Sequence, residues 1–251
     1  MRAAAVGRPA SEGNEQVEDH CRVWIALNEV ELCLQSLESG VWMKDTALNC
    51  WATSLNFLNR RNFLNQQAGF AKCSYMFNSF FVPTLHGIGR QVYGYQNVAT
   101  WGSKVPGEDI FGLKKLLIPI NHNKNHWVLG CVDMEQEKIV IFDSLRFPTT
   151  QQYRQDILYY LENEYRAKNN GRNLPPQWRR PPREEEEDMP LQKNSWDCGV
   201  FVSMYAEQLM LDRIQNYQQS DIESVGTGTR LFSGRYSFDM NVNGRKRNPN
   251  F

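Results

Sequence analysis

The segment from residue 116 to 143 constrains the fold most, because it holds three short runs of strand-forming residues separated by polar turns. The runs are LLIPI at 116–120, WVLGCVD at 127–133 and KIVIFD at 138–143. Short runs rich in β-branched and aromatic residues are typical of strands, and the close spacing of the last two predicts a hairpin. Both of its faces are apolar, which indicates a central hairpin covered on each side. One face carries Val128, Val132, Ile139 and Ile141, and the other carries Leu129, Val140 and Phe142.

The register of this hairpin is expected to bring a histidine close to an aspartate. A turn centred between Met134 and Glu135 places His126 directly opposite Asp143. Opposed residues of an antiparallel pair share a face and have Cβ atoms about 4.5–5.5 Å apart. We therefore predict that an imidazole and a carboxylate meet at one end of the hairpin.

Three further segments are expected to be helical. The first covers 46–59, and a second covers about 153–165. The third begins at Cys198, with Asp197 placed as its N-cap. The first and third have the apolar spacing of an amphipathic helix. Their apolar positions are Ala47, Leu48, Trp51, Leu55 and Leu58 in the first, and Val200, Phe201, Met204, Tyr205, Leu209 and Leu211 in the third.

We divide the chain into one folded domain at 21–222 and two flanking tails. Residues 1–20 are polar and small, which predicts a disordered N-terminal tail. After 222 the chain is rich in Gly, Ser and Asn and ends in GRKRNPNF, so 223–251 is expected to be a flexible basic tail. Inside the domain, the prolines, arginines and consecutive acids at about 169–188 predict an exposed loop.

The balance of charge argues against polyanionic partners. The chain has 28 Lys and Arg against 28 Asp and Glu, so no net charge attracts nucleic acid or an acidic membrane. No apolar run approaches the roughly 18 residues that a membrane span requires, and the first residues lack the apolar stretch of a secretory signal. We therefore expect no nucleic-acid partner, no membrane partner and a location in the reducing nucleus or cytoplasm.

The cysteines and histidines do not form a metal-binding pattern. The six cysteines are scattered without a CxxC pair, which argues against a zinc ribbon. His122 and His126 have the spacing of two ligands on a helix, but their setting is an Asn-rich loop. We expect no metal and no cofactor.

Cys198 has the position of a nucleophile. The backbone N–H groups and the positive end of the macrodipole at a helix start favour the thiolate form of a cysteine. A thiolate nucleophile also needs a proton shuttle, and an imidazole held by a carboxylate supplies one, so His126 and Asp143 are the candidates. The backbone N–H of Cys198 and the side-chain amide of Gln192 are candidate donors to the oxygen of a tetrahedral intermediate.

Each of these residues also has an ordinary structural explanation. A lone cysteine at a helix start, or a histidine beside an aspartate in a hairpin, is more often structural than catalytic. Their order along the chain favours catalysis. A histidine opens one strand, an aspartate closes its partner, and a glutamine then precedes a helix that begins with Asp-Cys-Gly.

These motifs resemble the ubiquitin-like-protein-specific cysteine proteases, also called SUMO or sentrin proteases. The resemblance runs in the order of that family from roughly 30 to 210. It implies an α+β, papain-like cysteine protease fold with a central, mostly antiparallel sheet flanked by helices. The matching segments are ESGVWMKDTALN at 38–49, FNSFF at 77–81, IPINHNKNHWVLGCVD at 118–133, IVIFDSL at 139–145 and MPLQKNSWDCGVFV at 189–202.

The resemblance also assigns roles to the residues of the site. It matches His126, Asp143 and Cys198 to the catalytic triad of the family and Gln192 to its oxyanion-hole glutamine.

A second set of residues is matched to substrate binding. Trp42 and Trp127 correspond to the two tryptophans that form a narrow tunnel over the Gly-Gly tail of the substrate, and Asp45 to the acidic residue of the Trp-x-x-Asp substrate motif. Phe77 and Asn78, in the matching FNSFF segment, are expected to bind substrate as well. Only residues without side chains pass between two stacked indoles, which restricts cleavage to a di-glycine terminus.

The implied activity is hydrolysis of the bond after the di-glycine tail of a ubiquitin-like modifier. The expected partners are SUMO or a related modifier and its conjugates, and the enzyme is expected to act as a monomer. The segment VATW at 98–101 lacks the basic residues that the family often has before this tryptophan, and Trp196 stands where the family more often has tyrosine. NEDD8- or ubiquitin-directed cleavage therefore stays open. So does a catalytically impaired modifier-binding module, because the chain after 222 departs from the closing helix of the family.

Overall fold

The computed structural model describes residues 35–36, 40–65, 72–87, 92–179, 189–213 and 217–224. The predicted tail at 1–20 lies outside the described residues. So do 180–188 of the predicted loop and 225–251 of the predicted C-terminal tail.

Among the described residues, four strands form one mixed sheet in the order β1-β2-β3-β4. They are β1 (Tyr75–Met76), β2 (Lys115–His122), β3 (His126–Asp133) and β4 (Lys138–Phe142). The short β1 pairs with β2 in parallel, and the two longer pairings are antiparallel. The three predicted strands are confirmed, as is the mostly antiparallel sheet.

Five α-helices surround this sheet in the part of the chain that the structure describes. They are α1 (Asp45–Asn65), α2 (Phe81–Leu85), α3 (Gln152–Lys168), α4 (Cys198–Met210) and α5 (Gln219–Ser224). The three predicted helices correspond to α1, α3 and α4. Shorter 3₁₀ turns connect the elements, at Tyr95–Asn97, Gly102–Lys104, Pro106–Glu108, Ile110–Gly112, Pro148–Gln151 and Pro176–Arg179. None of the described helices has the length and apolarity needed to cross a bilayer.

Both faces of the β3–β4 hairpin are buried, as the sequence predicts. One face packs in a core with residues of α1 and α4, and the other in a core with residues of α2 and α3. The hairpin is nevertheless not central, because β4 ends the sheet in the part of the chain that the structure describes. The first face contributes Trp127, Leu129, Cys131, Val140 and Phe142, and the second contributes Val128, Val132, Ile139 and Ile141.

The predicted register of the hairpin is wrong by two residues. Phe142 lies opposite Leu129 rather than Trp127. A shift of two residues keeps every side chain on its predicted face, since faces alternate with a period of two. Asp143 therefore follows β4 at a position diagonal to His126 on the same face, where long side chains still reach one another.

The shift arises from the turn, which is wider than a two-residue hairpin. The carboxylate Oδ1 of Asp133 accepts hydrogen bonds from the backbone N–H groups of Glu135 (3.1 Å) and Gln136 (2.9 Å). Glu137 then takes a positive φ of 51° before β4 begins. The side chain of Asp133 thereby stabilises a turn over 134–137.

The segment 169–188, which we predicted to be an exposed loop, is only partly exposed in its described residues. Most of its described residues are exposed, but Leu174 and Trp178 are buried in the same core as α3, with Trp178 3% exposed. Arg179 forms an ion pair with Glu162 of α3 at 2.5 Å. The prediction of an exposed loop is wrong for Leu174 and Trp178. It relied on the average composition of a charged segment, which does not reveal two apolar side chains that pack in the core.

Candidate active site

The start of β3 and the end of β4 bring His126 and Asp143 together. Nε2 of His126 lies 2.6 Å from Oδ1 of Asp143. The two residues are only 3% and 2% exposed. The predicted contact is present, although a diagonal rather than a direct pairing makes it.

The carboxylate of Asp143 is held by the turn that follows it. Oδ1 also accepts from the backbone N–H of Leu145 (2.9 Å), and Oδ2 accepts from the N–H of Phe147 (2.9 Å) and the hydroxyl of Thr150 (3.0 Å). Burial raises the pKa of Asp143, but the hydrogen bonds from His126, Leu145 and Thr150 outweigh it and leave the pKa below its ordinary value. The group is therefore a fixed carboxylate.

The environment of His126 favours its protonated form. Burial lowers the pKa of the ring, yet hydrogen bonds with Asp143 and Cys198 raise the pKa of His126 to about 9. Because Nε2 faces Asp143, Nδ1 is the ring nitrogen that remains to face the sulfur. The edge-to-face ring of Phe147, 5.1 Å from the imidazole between centroids, packs against the same histidine.

Cys198 is the first residue of α4 and is buried at the base of the site. Its neighbour Gly199 allows the helix start to approach Met43 closely, since a Cβ at Gly199 would lie 2.5 Å from the Cβ of Met43. Asp197 occupies the N-cap position, as predicted, but its side chain makes no capping hydrogen bond. Its carboxylate instead accepts from the amides of Asn194 (2.6 Å) and Gln219 (2.7 Å).

Gln192 is buried beside the end of β4, and its amide is oriented at both ends. The hydroxyl of Ser144 donates to its Oε1 at 2.5 Å, and its Nε2 donates to the carbonyl oxygen of Asn194 at 2.7 Å. The backbone N–H of Gln192 also donates to the carbonyl oxygen of Ser144 at 3.1 Å, so both the backbone and the side chain of Gln192 are held against Ser144. An amide carries two N–H groups, so a glutamine held in this way keeps one available for a substrate oxygen.

The two predicted tunnel tryptophans differ in their surroundings. Trp42 is 49% exposed, and its Nε1 donates to the carbonyl of Ser195 at 2.8 Å. Trp127 is 4% exposed in the core shared by α1 and α4, and its Nε1 donates to the carbonyl of Met43 at 2.8 Å. Trp42 is thus accessible to a partner, whereas most of Trp127 is a core side chain.

The other predicted substrate-binding residues also differ in their exposure. Asp45 begins α1 and is half-buried, and Asn78 is exposed. Phe77 is 2% exposed and packs against Phe81 and Trp101 at centroid distances of 4.9 and 5.3 Å. The ring of Phe77 thus fills an aromatic core, and its contact with substrate stays a prediction.

Sequence reasoning missed the residues that hold the catalytic candidates in place. Ser144 and Thr150 lie beside the predicted Asp143, within the turn that follows β4, and their small hydroxyl side chains are a weak signal of local hydrogen bonding. Gln219 had no such signal, because its partners lie more than twenty residues away.

The two other histidines that the structure describes have partners of their own. His122, paired across the β2–β3 hairpin with His126, has Nδ1 3.1 Å from the hydroxyl of Tyr153. His86 pairs with Asp156 at 2.8 Å. Among the described residues, no three His, Cys, Asp or Glu side chains are grouped to hold a metal ion.

A family model and the sequences of known proteins indicate the same family for this chain. The model of the Ulp1 protease family, C-terminal catalytic domain, matches residues 41–229. The putative ubiquitin-like-specific protease 1B of Arabidopsis thaliana is 28% identical over 190 residues, which is 75% of this chain and 52% of that protein. Sentrin-specific protease 2 of Homo sapiens is 28% identical over 186 residues, 74% of this chain and 28% of that protein. The chain therefore spans about half of the first relative and little more than a quarter of the second.

A solved structure supports the fold assignment. The catalytic domain of the Ulp1-like SUMO protease of Chaetomium thermophilum superposes with a TM-score of 0.58 and 20% sequence identity. The match covers 73% of this chain and 68% of that domain. The α+β, papain-like fold expected from the sequence is confirmed.

Proposed function

The chain belongs to the Ulp1 protease family, and from this premise we propose that it hydrolyses the bond after the di-glycine tail of a ubiquitin-like modifier, with SUMO as the preferred modifier. The observation that carries the proposal is the buried His126, which lies 2.6 Å from Asp143 and hydrogen-bonds with Cys198. Ser144, the residue after Asp143, holds the amide of Gln192. A nucleophile, a proton shuttle, an orienting acid and an amide donor are the parts that acyl transfer needs.

The first half of the reaction transfers the modifier to the enzyme. The thiolate of Cys198 attacks the carbonyl carbon of the terminal glycine, and the carbonyl oxygen becomes negatively charged. The backbone N–H of Cys198 and the free N–H of Gln192 stabilise that charge. The C–N bond then breaks, His126 gives its proton to the departing amine, and a thioester remains.

The second half releases the modifier. The imidazole of His126, now neutral, takes a proton from a water molecule as the water oxygen attacks the thioester carbon. The C–S bond breaks, and the thiolate and imidazolium are restored. The modifier leaves with a carboxylic acid terminus, which loses its proton to solvent. Asp143 keeps one ring tautomer throughout and stabilises the imidazolium.

The choice of modifier rests on the relatives and on the exposed surface near the site. One relative is named as sentrin-specific and another as ubiquitin-like-specific. The exposed indole of Trp42 gives the tail of a modifier an accessible aromatic surface. Val98, in the segment that lacks the basic residues of the family, is fully buried and offers no contact to a modifier.

A panel of probes tests both the chemistry and the modifier. SUMO, NEDD8 and ubiquitin, each ending in a glycine vinyl sulfone, are incubated with the protein, and the adduct is measured by intact mass. We expect the SUMO probe to label Cys198 fastest. The Cys198→Ala variant should give no adduct, and the Cys73→Ala variant, which removes another buried thiol, should react like the wild type.

Two results would revise the proposal. Faster labelling by the NEDD8 or ubiquitin probe would keep the chemistry and replace the modifier. Tight binding of a modifier with no adduct at Cys198 would instead identify a binding module without protease activity.

A further inference from the structure

We propose that Gln219 is a positioning residue that sets the direction of the Gln192 amide toward the oxyanion, an inference that rests on the proposed function. Gln219 is the first residue of α5 and is 2% exposed. It lies on the segment after α4, separate from the elements that supply the catalytic candidates.

The side chain of Gln219 joins the two ends of the loop that precedes the nucleophile. Its Oε1 accepts from the backbone N–H of Lys193 at 2.8 Å. Its Nε2 donates to Oδ2 of Asp197 at 2.7 Å. One carboxamide therefore bridges the residue after Gln192 and the residue before Cys198.

Asn194 closes the same loop from inside. Its Oδ1 accepts from the backbone N–H groups of Trp196 (3.2 Å) and Asp197 (3.0 Å). Its Nδ2 donates to Oδ2 of Asp197 at 2.6 Å, the oxygen that Gln219 also binds. Because the carboxylate oxygen is shared, Gln219 and Asn194 hold Asp197 in one position.

This network reaches the catalytic amide through the backbone of Asn194. The carbonyl oxygen of Asn194 accepts from Nε2 of Gln192 at 2.7 Å. The hydrogen bond occupies one N–H of the amide and thereby directs the other. Without the Gln219 bridge between Lys193 and Asp197, the loop keeps only the bonds of the Asn194 side chain, and the carbonyl of Asn194 holds the Gln192 amide less firmly.

The segment that carries Gln219 is anchored by other contacts. The ring of Tyr217 packs against Phe201 and Tyr205 of α4 at centroid distances of 5.7 and 5.9 Å, and its hydroxyl donates to the carbonyl of Phe201 at 3.3 Å. Ile222 is buried in the same core. Removal of the Gln219 amide should therefore leave α5 in place and act mainly on the loop.

The test compares Gln219→Ala with Gln218→Ala, whose side chain is exposed one residue earlier. Single-turnover acylation is measured with a SUMO precursor in excess enzyme, and Cys198 is alkylated separately with chloroacetamide. Loss of an oxyanion donor slows catalysis by about 10²–10³, so we expect Gln219→Ala to slow acylation by at least about tenfold. We expect the KM and the alkylation rate of Gln219→Ala to stay within about twofold of wild type, because alkylation depends on the thiolate and needs no oxyanion donor. The acylation rate of Gln218→Ala should also stay within about twofold of wild type.

Gln219→Glu provides a variant of matched size. It keeps an acceptor for Lys193 but places a carboxylate against Oδ2 of Asp197, so acylation should be slow. Wild-type acylation by Gln219→Glu would overturn the proposal, as would wild-type acylation by Gln219→Ala.

The same experiment separates this inference from the proposed function. Full hydrolysis by Cys198→Ala would remove the proposed function and this inference together. Loss of acylation in Cys198→Ala and Gln192→Ala, with wild-type acylation in Gln219→Ala, would remove the inference alone. A parallel loss of acylation and alkylation in Gln219→Ala would show a general structural role instead of positioning.

Discussion

The Oδ1 atom of Asp143 lies 2.6 Å from Nε2 of His126, and the other carboxylate oxygen is bound by the turn that follows. The carboxylate thus accepts hydrogen bonds on both oxygens and has no freedom to rotate away from the ring. A histidine held by such an acid keeps one tautomer, with Nδ1 directed to the nucleophile.

Replacing Asp143 with Asn tests this relationship directly. The amide has nearly the same volume, but its NH₂ group presents a donor to the ring and favours the wrong tautomer. We expect kcat for cleavage of a SUMO precursor to fall by roughly three to four orders of magnitude while the fold is kept. The control is Asp156→Asn, which alters a second His–Asp pair, with His86 at 2.8 Å. A similar loss of kcat in both variants would show that the effect is general rather than catalytic.

The pH dependence should follow the charges of the same pair. The pKa of His126 is raised from 6.5 to about 9 in the folded protein, so its stabilising contribution is complete below about pH 6.5 and lost as the pH rises through about 9. The pKa of Asp143 is lowered from 3.8, so its contribution is present above that pH and lost as the pH falls through the lowered value. Cleavage should decline near pH 9, because a neutral ring has no proton for the leaving amine.

NMR of the imidazole C–H resonances measures this titration, with His126→Gln used for assignment. We expect the pKa of His126 to fall toward its ordinary value in Asp143→Asn and to fall also in Cys198→Ala. A His126 resonance that titrates near 6.5 in the wild type would contradict the ion-pair description.

The strands and helices were predictable because they depend on short-range apolar patterns. Alternation places Leu129 and Val140 on one face, and three- and four-residue spacing places Leu48 and Trp51 on the buried side of α1. These patterns report which side of an element is covered. They contain no information on which partner covers it.

The register and the supporting residues of the site depend on contacts that a pattern does not reveal. The turn at 134–137 is set by the side chain of Asp133, so an assumed two-residue turn gives the wrong pairing. The histidine–aspartate contact was still predicted, since a shift of two residues preserves the face. The bonds of Gln192 with Ser144, and of Gln219 with Asp197, join residues that are distant in sequence and become visible only in the folded chain.

Ser144→Ala tests how strongly the orientation of Gln192 matters. The substitution removes the hydroxyl that donates to Oε1 of Gln192 and leaves the backbone bond between the two residues. A buried hydrogen bond contributes about 1 kcal/mol, so we expect kcat to fall by about five- to tenfold with KM nearly constant. The control is Ser54→Ala, which removes a buried hydroxyl bonded to the carbonyl of Cys50 within α1. Equal kcat values for Ser144→Ala and the wild type would show that Ser144 does not orient the amide.

The difference in exposure between Trp42 and Trp127 predicts two distinct phenotypes. Trp127→Ala removes a core indole, so we expect the free energy of unfolding in urea to fall by about 3–5 kcal/mol. Trp42→Ala removes an exposed indole and one hydrogen bond, so the free energy should fall by less than about 1 kcal/mol, while kcat/KM for a folded modifier drops because the tail loses an aromatic contact. Phe80→Ala, which truncates an exposed ring that is 48% accessible at the start of α2, is the control for exposed aromatics and should change neither quantity. Wild-type kcat/KM in Trp42→Ala would show that its indole does not bind substrate, and wild-type stability in Trp127→Ala would contradict its place in the core.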